Sequence, residues 1–248
     1  MAAQSSVPVP HGDWDELAHL DPLWAILTDK EKKFGKWNPE EFFASGQAEI
    51  DVLMESCGLP RGDHGRVLDF GCGVGRLSRS LRAYFGEVHG VDISEEMIRL
   101  AKEFNPNCRF VVNQADNLKL FADEFFDFVY SNRVLQHQPS QELVARYLRE
   151  FARVVKPQGT IVVQIPYKLR LRRVLEPRRR VYSFLKTVGF SPSFLYRRLH
   201  LNPIHNCCMT PENVHSVLSS AGARVLRSYP DHYNEYSMSY IAVKVSPL

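Results

Sequence analysis

The chain has 248 residues, 44% hydrophobic and 24% charged, a mixture that fits an ordinary globular α/β chain and excludes a stapled miniprotein, a collagenous repeat or a disordered chain. A formal charge of +3 is too small to imply a nucleic-acid partner across the whole surface, and no apolar run approaches the roughly 20 residues of a membrane-spanning helix. Five cysteines, at 57, 72, 108, 207 and 208, give neither a disulfide framework nor a CxxC pair, so a reducing cytoplasmic setting is expected and a metal site is not.

The first twelve residues carry Ser5, Ser6, Pro8, Pro10 and Gly12 without a basic start or an apolar core, and read as a frayed tail rather than a signal peptide. Helical periodicity at 14–27 and 39–57 predicts a cap over one end of the core, so 1–60 is expected to be tail and cap and 61–248 the core. From 66 to 166, β-rich runs at 66–70, 87–91, 109–113, 126–131 and 160–166 alternate with helical stretches at 75–84, 95–104 and 141–155, the pattern of a parallel sheet covered on both faces. Ser94 and Ser140 are N-cap candidates, and Lys156-Pro157-Gln158-Gly159 stops the third of these helices, because proline cannot continue it and glycine permits a turn. After Pro166 the regularity breaks, and a basic, aromatic segment at about 167–208 reads as a helical insertion. Thr210-Pro211-Glu212 then starts a helix that Gly222 stops, and strands near 224–229 and 239–245 complete a mostly parallel seven-stranded α/β sheet.

The most informative stretch is Val67-Leu68-Asp69-Phe70-Gly71-Cys72-Gly73-Val74-Gly75-Arg76-Leu77, an apolar strand followed by a glycine loop that opens a helix. Gly71, Gly73 and Gly75 let the backbone turn sharply and approach a nucleotide-like ligand. Arg76 takes the place of the third glycine of a dinucleotide fingerprint. The carboxylate of Asp69 repels a pyrophosphate, whereas it helps neutralise the ammonium of an amino-acid moiety. The Lys-Ser/Thr ending of a P-loop is also missing, so charge favours S-adenosylmethionine over NAD or ATP. Asp92, in Gly90-Val91-Asp92-Ile93-Ser94, is suited to accept hydrogen bonds from both ribose hydroxyls, with Ile93 packed on adenine. The side chains of Asn113-Gln114-Ala115-Asp116-Asn117 can address the adenine edge.

On motifs at 67–75, 90–94, 113–118, 126–139 and 148–166, the chain resembles a class I S-adenosylmethionine-dependent methyltransferase of the broad small-molecule type, strongly over about 60–166 and more weakly over 209–245. The resemblance implies the Rossmann-like class I fold and S-adenosylmethionine as cofactor, leaving as S-adenosylhomocysteine. It places Asp69, Gly71, Cys72, Gly73 and Gly75 around the methionine part, with Arg76 next to them, and Asp92 with Ile93 at the ribose. The turn of Gln114, Ala115, Asp116 and Asn117 falls at the adenine, with the family's acid in register with either Gln114 or Asp116.

Methyl transfer from a sulfonium is an in-line displacement, so alignment is the main task and a nearby base helps when the acceptor is a hydroxyl. The fourth strand ends in Tyr130-Ser131-Asn132, and the following turn carries Arg133, Gln136 and His137, where ligands bind in open parallel sheets. Asn132 is expected at the cofactor; His137 is the candidate base, against a purely hydrogen-bonding role. Trp37 and Phe43 of the cap, and His232 and Tyr233 before the last strand, are candidate acceptor-pocket residues, against a plain core role for the aromatics.

Between 168 and 198, ten Lys or Arg stand against one acid, Glu176, with Leu, Val, Phe and Tyr interleaved. This segment is expected to act as a lid for an anionic or lipid-like acceptor or as a face on an anionic membrane, against a solvated helical cap. The expected activity is methyl transfer to a small molecule, at oxygen first and nitrogen second. An RNA or protein methyltransferase and a cofactor-binding regulatory module are the alternatives.

Overall fold

A computed structural model describes residues 12–231 and 234–246, with the backbone alone at 172 and 173. The expected tail before residue 12, and His232 and Tyr233, lie outside the described residues. Strands β1 (Arg66–Phe70), β2 (Glu87–Asp92), β3 (Arg109–Val112), β4 (Phe126–Ser131), β5 (Val155–Pro166), β6 (Ala223–Pro230) and β7 (Ser237–Lys244) form one sheet in the order β3-β2-β1-β4-β5-β7-β6. The first five run parallel, and β7 is antiparallel to both its neighbours. This is the Rossmann-like class I methyltransferase architecture expected from the sequence.

Three helices precede the sheet: α1 (Gly12–Leu20), α2 (Pro22–Ile26) and α3 (Pro39–Ser56). Helices α4 (Arg76–Leu81), α5 (Glu95–Phe104) and α6 (Gln141–Val154) make the crossovers, and α7 (Leu171–Leu175), α8 (Pro177–Thr187) and α9 (Pro192–Arg197) form the insertion before α10 (Pro211–Ser220). The Ser94 and Ser140 side chains accept the Met97 and Leu143 N–H groups, so both serines cap their helices by bonding donors that the first turn leaves unpaired.

Several boundaries differ from the sequence reading by a few residues, the expected 14–27 helix is broken into α1 and α2, and two shifts have a local cause. Helix α4 begins at Arg76, because Gly75 sits at φ 80 as its N-cap. Strand β5 starts at Val155 rather than 160: Val155 pairs with Phe126, the register shifts, and pairing resumes between Phe128 and Thr160. Asp127 supports this irregularity by accepting from Lys156 Nζ at 2.7 Å and from the Arg66 N–H at 2.8 Å.

Both faces of the central strands are covered, which is why β1 and β4 read as nearly continuous apolar runs. Leu68, Phe70, Val129 and Ile161 pack against Leu148 and Phe151 of α6, while Val67, Phe128 and Val162 pack against Ile50, Met54 and Leu81. Phe151 is fully buried, with its ring 5.0 Å from that of Phe70. Phe151→Ala should lower unfolding free energy by about 3–5 kcal/mol through lost burial and the cavity left behind, measured by urea titration as a lower midpoint with an unchanged slope.

Candidate active site

Strand β1 lies between β2 and β4, so the chain leaves its carboxyl end in opposite directions and opens a crevice there. A cavity of about 770 Å³ fills the crevice, walled by Asp69, Gly71, Cys72, Gly73, Asp92, Ile93 and Asn132 among others. The loop must be glycine at its closest points. Gly71 has φ 76, and a Cβ there would meet Val134 Cγ2 at 2.3 Å; Gly73 has φ 53, and a Cβ there would meet Ile26 Cδ1 at 2.5 Å.

The loop's donors are turned inward. The Gly71 and Cys72 N–H groups both donate to the Val91 carbonyl, at 2.7 and 3.0 Å, and the Gly75 N–H donates to the Cys72 carbonyl at 2.9 Å. The Gly73 N–H donates to Asp92 Oδ2 at 2.9 Å. These four groups are therefore spent inside the protein and form no nest for a phosphate. The carboxylates in the wall instead suit a cation and hydroxyl donors.

Asp92 is half-buried, and its other oxygen accepts the Ser94 N–H at 3.0 Å. Asp69 is buried at 2% exposure and accepts from Ser78 Oγ at 2.6 Å. Burial pushes the Asp69 carboxyl up to about 6, against the lowering effects of Ser78 and Arg76. Burial raises Asp92 as well, against the backbone donors that favour its ionised form. The Cys72 thiol is also raised by burial and by the two carboxylates, and so stays protonated and unreactive.

The turn after β3 differs from expectation. Asn113 lines the cavity, whereas Gln114, Ala115, Asp116 and Asn117 do not. Asp116 is turned to Arg146 of α6, Asn117 donates to Asp116, and the Ala115 carbonyl accepts from Tyr147. Gly75 likewise stands behind the loop, where an added Cβ would meet Asn105 and Phe110.

A second cavity of about 840 Å³ adjoins the first, with Thr28, Arg76, Arg133 and Gln136 in the walls of both. Its other walls include Trp37, Ser45, Glu49, Gln164, Arg170, Glu235 and Tyr236. Arg76, buried at 3% exposure, pairs with Glu49 of α3 at 2.8 Å, so the expected cofactor residue stands as the partition between the two spaces. Glu49 also accepts from Asn132 and from Tyr130 OH. Burial alone would raise the Glu49 carboxyl, but Arg76, Arg133 and the bonds from Arg76 and Asn132 outweigh it and hold it below the ordinary value. Arg133 holds φ 61, and its N–H donates to Gln164 Oε1 at 3.1 Å, a strained backbone kept in place at the shared wall.

Glu49 was not singled out in the sequence. Its signal was Gly46 one turn earlier: a mid-helix glycine costs stability, and here a Cβ would lie 2.6 Å from the Arg76 carbonyl. Trp37 does line the second cavity and donates to the Leu27 carbonyl at 3.1 Å. Phe43 does not; it is core, set against Phe42 and Phe104 under the Arg79 guanidinium. The expectation of a pocket role for Phe43 is corrected by that burial.

His137 lines the first cavity with both ring nitrogens engaged. Nδ1 lies 2.7 Å from the His205 carbonyl and must donate to it, which leaves Nε2 to accept from the Gln136 amide at 2.9 Å. A base role requires Gln136 to release Nε2. The cap closes over the same space: Asp15 accepts from Ser94 Oγ at 2.7 Å and the Glu96 N–H at 3.1 Å, and the Trp14 ring meets His137 edge-on. Among the described residues no cluster of three or more His, Cys, Asp or Glu could hold a metal, and no helix is long and apolar enough to cross a membrane.

Seven strands with this crevice define a class I methyltransferase fold, and a family model for a methyltransferase domain matches residues 68–163. Residues 68–163 thus form a methyltransferase domain of the class I S-adenosylmethionine-dependent type. It is 40% identical over 101 residues to a 2-methyl-6-phytyl-1,4-hydroquinone methyltransferase of Synechocystis sp., covering 39% of this chain and 30% of that protein. It is 30% identical over 175 residues to a malonyl-[acyl-carrier protein] O-methyltransferase of Pectobacterium atrosepticum, covering 68% and 65%. The chain thus spans less than two thirds of either curated relative. A magnesium protoporphyrin IX methyltransferase from Synechocystis, solved with bound S-adenosylhomocysteine, shares the fold with a TM-score of 0.55 at 19% identity, over 86% of this chain and 90% of that one.

The raised pKa of Asp69 sets a pH dependence. A cationic ligand favours the ionised carboxylate, so affinity rises with pH toward about 6 and levels off above it. Calorimetry of S-adenosylmethionine binding should show Kd increasing below that pH by up to about tenfold per unit, and Asp69→Asn should lose most of the slope.

Proposed function

We propose that the protein transfers the methyl group of S-adenosylmethionine to a small molecule held in the 840 Å³ cavity, at oxygen first and nitrogen second. The observation that carries this reading is the pairing of two spaces across one wall: a crevice lined by two carboxylates with its loop donors spent, and a polar cavity beyond Arg76 and Arg133. When bound, S-adenosylmethionine supplies an electrophilic methyl group on a sulfonium. The residues of this chain supply placement. Asp69 receives the ammonium, Asp92 the ribose hydroxyls, and Asn113 the adenine edge.

Glu49 holds Arg76, Asn132 and Tyr130 at the partition, which fixes the line along which an acceptor meets the methyl group. The acceptor walls mix Arg76, Arg133 and Arg170 with Asp29, Glu49, Asp231 and Glu235, with Arg76 paired to Glu49 and Arg170 to Glu235, which suits a polar group, and Leu27, Trp37 and Tyr236 favour an apolar portion beside it. The hydroquinone and malonyl-carrier substrates in the names of the two relatives support an acceptor of this kind. His137 acts as a tie between the turn after β4 and the insertion, and alignment carries the catalysis.

Incubation with labelled S-adenosylmethionine and pools of small acceptors should move label into a low-molecular-weight product, and Asp92→Ala should abolish both binding and transfer. Label appearing in RNA or protein instead, or tight binding without transfer to any pool, would favour the two alternatives. Glu49→Gln should lower kcat by about tenfold to a hundredfold while leaving the Kd for S-adenosylmethionine nearly unchanged. His137→Gln should keep most of the turnover and the shape of the pH–rate profile; loss of the acidic limb in that variant would restore His137 as the base.

A further inference from the structure

Among the described residues fourteen large apolar side chains stand exposed, and nine of them lie between 171 and 199. Val181 and Phe184 of α8 and Val188 at its C-cap are 48%, 65% and 56% exposed, at a spacing that places them on one face of the helix. At 100° per residue, the exposed Arg178 and Arg180 fall on the two sides of this stripe, while the buried Tyr182 faces inward. Phe190 and Phe194, stacked with centroids 5.6 Å apart, are exposed as well, as are Leu171, Val174 and Leu175 on α7.

An exposed apolar helix stripe flanked by cations gains little in water and much at a boundary between hydrocarbon and anionic head groups. We propose that this face of the insertion docks on an anionic lipid bilayer. Val181, Phe184 and Val188 enter the head-group boundary, and Arg178 and Arg180 meet its phosphates. Charge complementarity favours lipid over a second copy of the chain, because a twofold contact through the stripe would set these arginines among their own equivalents. The segment that lies on the lipid also builds the site: Glu176, Pro177, Arg178 and Arg179 wall the donor cavity, and Arg170 walls the acceptor cavity. Docking thus goes beyond methyl transfer and does not depend on it, and it brings the site to a surface where an amphiphilic acceptor concentrates.

The test is sedimentation of the full chain with vesicles of phosphatidylcholine alone or mixed with phosphatidylglycerol. The expected result is binding to the mixed vesicles at low salt, at least about tenfold weaker in roughly 0.5 M salt, where charge attraction is screened within a few ångströms. The Val181→Ser, Phe184→Ser, Val188→Ser triple variant should lose the binding while its Kd for S-adenosylmethionine stays at the parent value, which separates docking from the cofactor site and confirms the fold. No binding to mixed vesicles at low salt, or binding that the triple variant retains, overturns the proposal. So does a concentration-dependent dimer that the triple variant dissolves without any vesicle binding by the parent.

Discussion

The Asp92 carboxylate is the fixed point of the site. One oxygen holds the Gly73 N–H of the loop after β1, and the other holds the Ser94 N–H at the start of α5. Two turns from different strands are thereby pinned at one crevice, and the same carboxylate remains part of its wall. Burial raises its pKa, and the backbone donors of Ser94, Gly73 and Ile93 offset only part of that cost. One strand away, burial raises Asp69 too, and Ser78 and Arg76 offset only part of it. A crevice with two buried carboxylates whose pKa values burial raises is poised for a positively charged ligand and hostile to a phosphate.

Around this point the chain closes from two distant regions. Asp15 of α1 accepts from both Ser94 and Glu96, which binds the cap to the turn that Asp92 organises. Asp21, buried, accepts the N–H groups of Phe34 and Gly35 and the Tyr196 hydroxyl, joining the cap to the insertion. Glu16 pairs with Lys186 across the same boundary. Cap and insertion therefore make one cover, and any movement of the insertion on a surface is coupled to the donor cavity through these bonds.

The partition between the two cavities follows the same economy of charge. Arg76 is buried, which would be costly alone, and Glu49 reaches it from α3 where Gly46 lets the helix approach the loop. The pair leaves Glu49 ionised and oriented toward Asn132 and Tyr130, so one carboxylate sets three side chains at the place where donor and acceptor meet.

The seven strands, the glycine loop, Asp69, Asp92 and the caps at Ser94 and Ser140 were legible in the chain itself, because each rests on local rules: apolar runs bounded by turns, glycine where φ is positive, an acid closing a strand. The insertion's basic and apolar makeup was legible too, but not the stripe of Val181, Phe184 and Val188, since which side of a helix stays exposed depends on what packs against the other. The same limit hid Glu49, which meets Arg76 only after α3 crosses the loop, and misplaced Phe43, Gly75 and the 114–117 turn, whose neighbours come from elsewhere in the chain. Local sequence decides backbone conformation and where an acid can stand. Only the tertiary fold decides which distant side chain answers it, because the energy of a buried charge is set by its partner and not by its position in the chain.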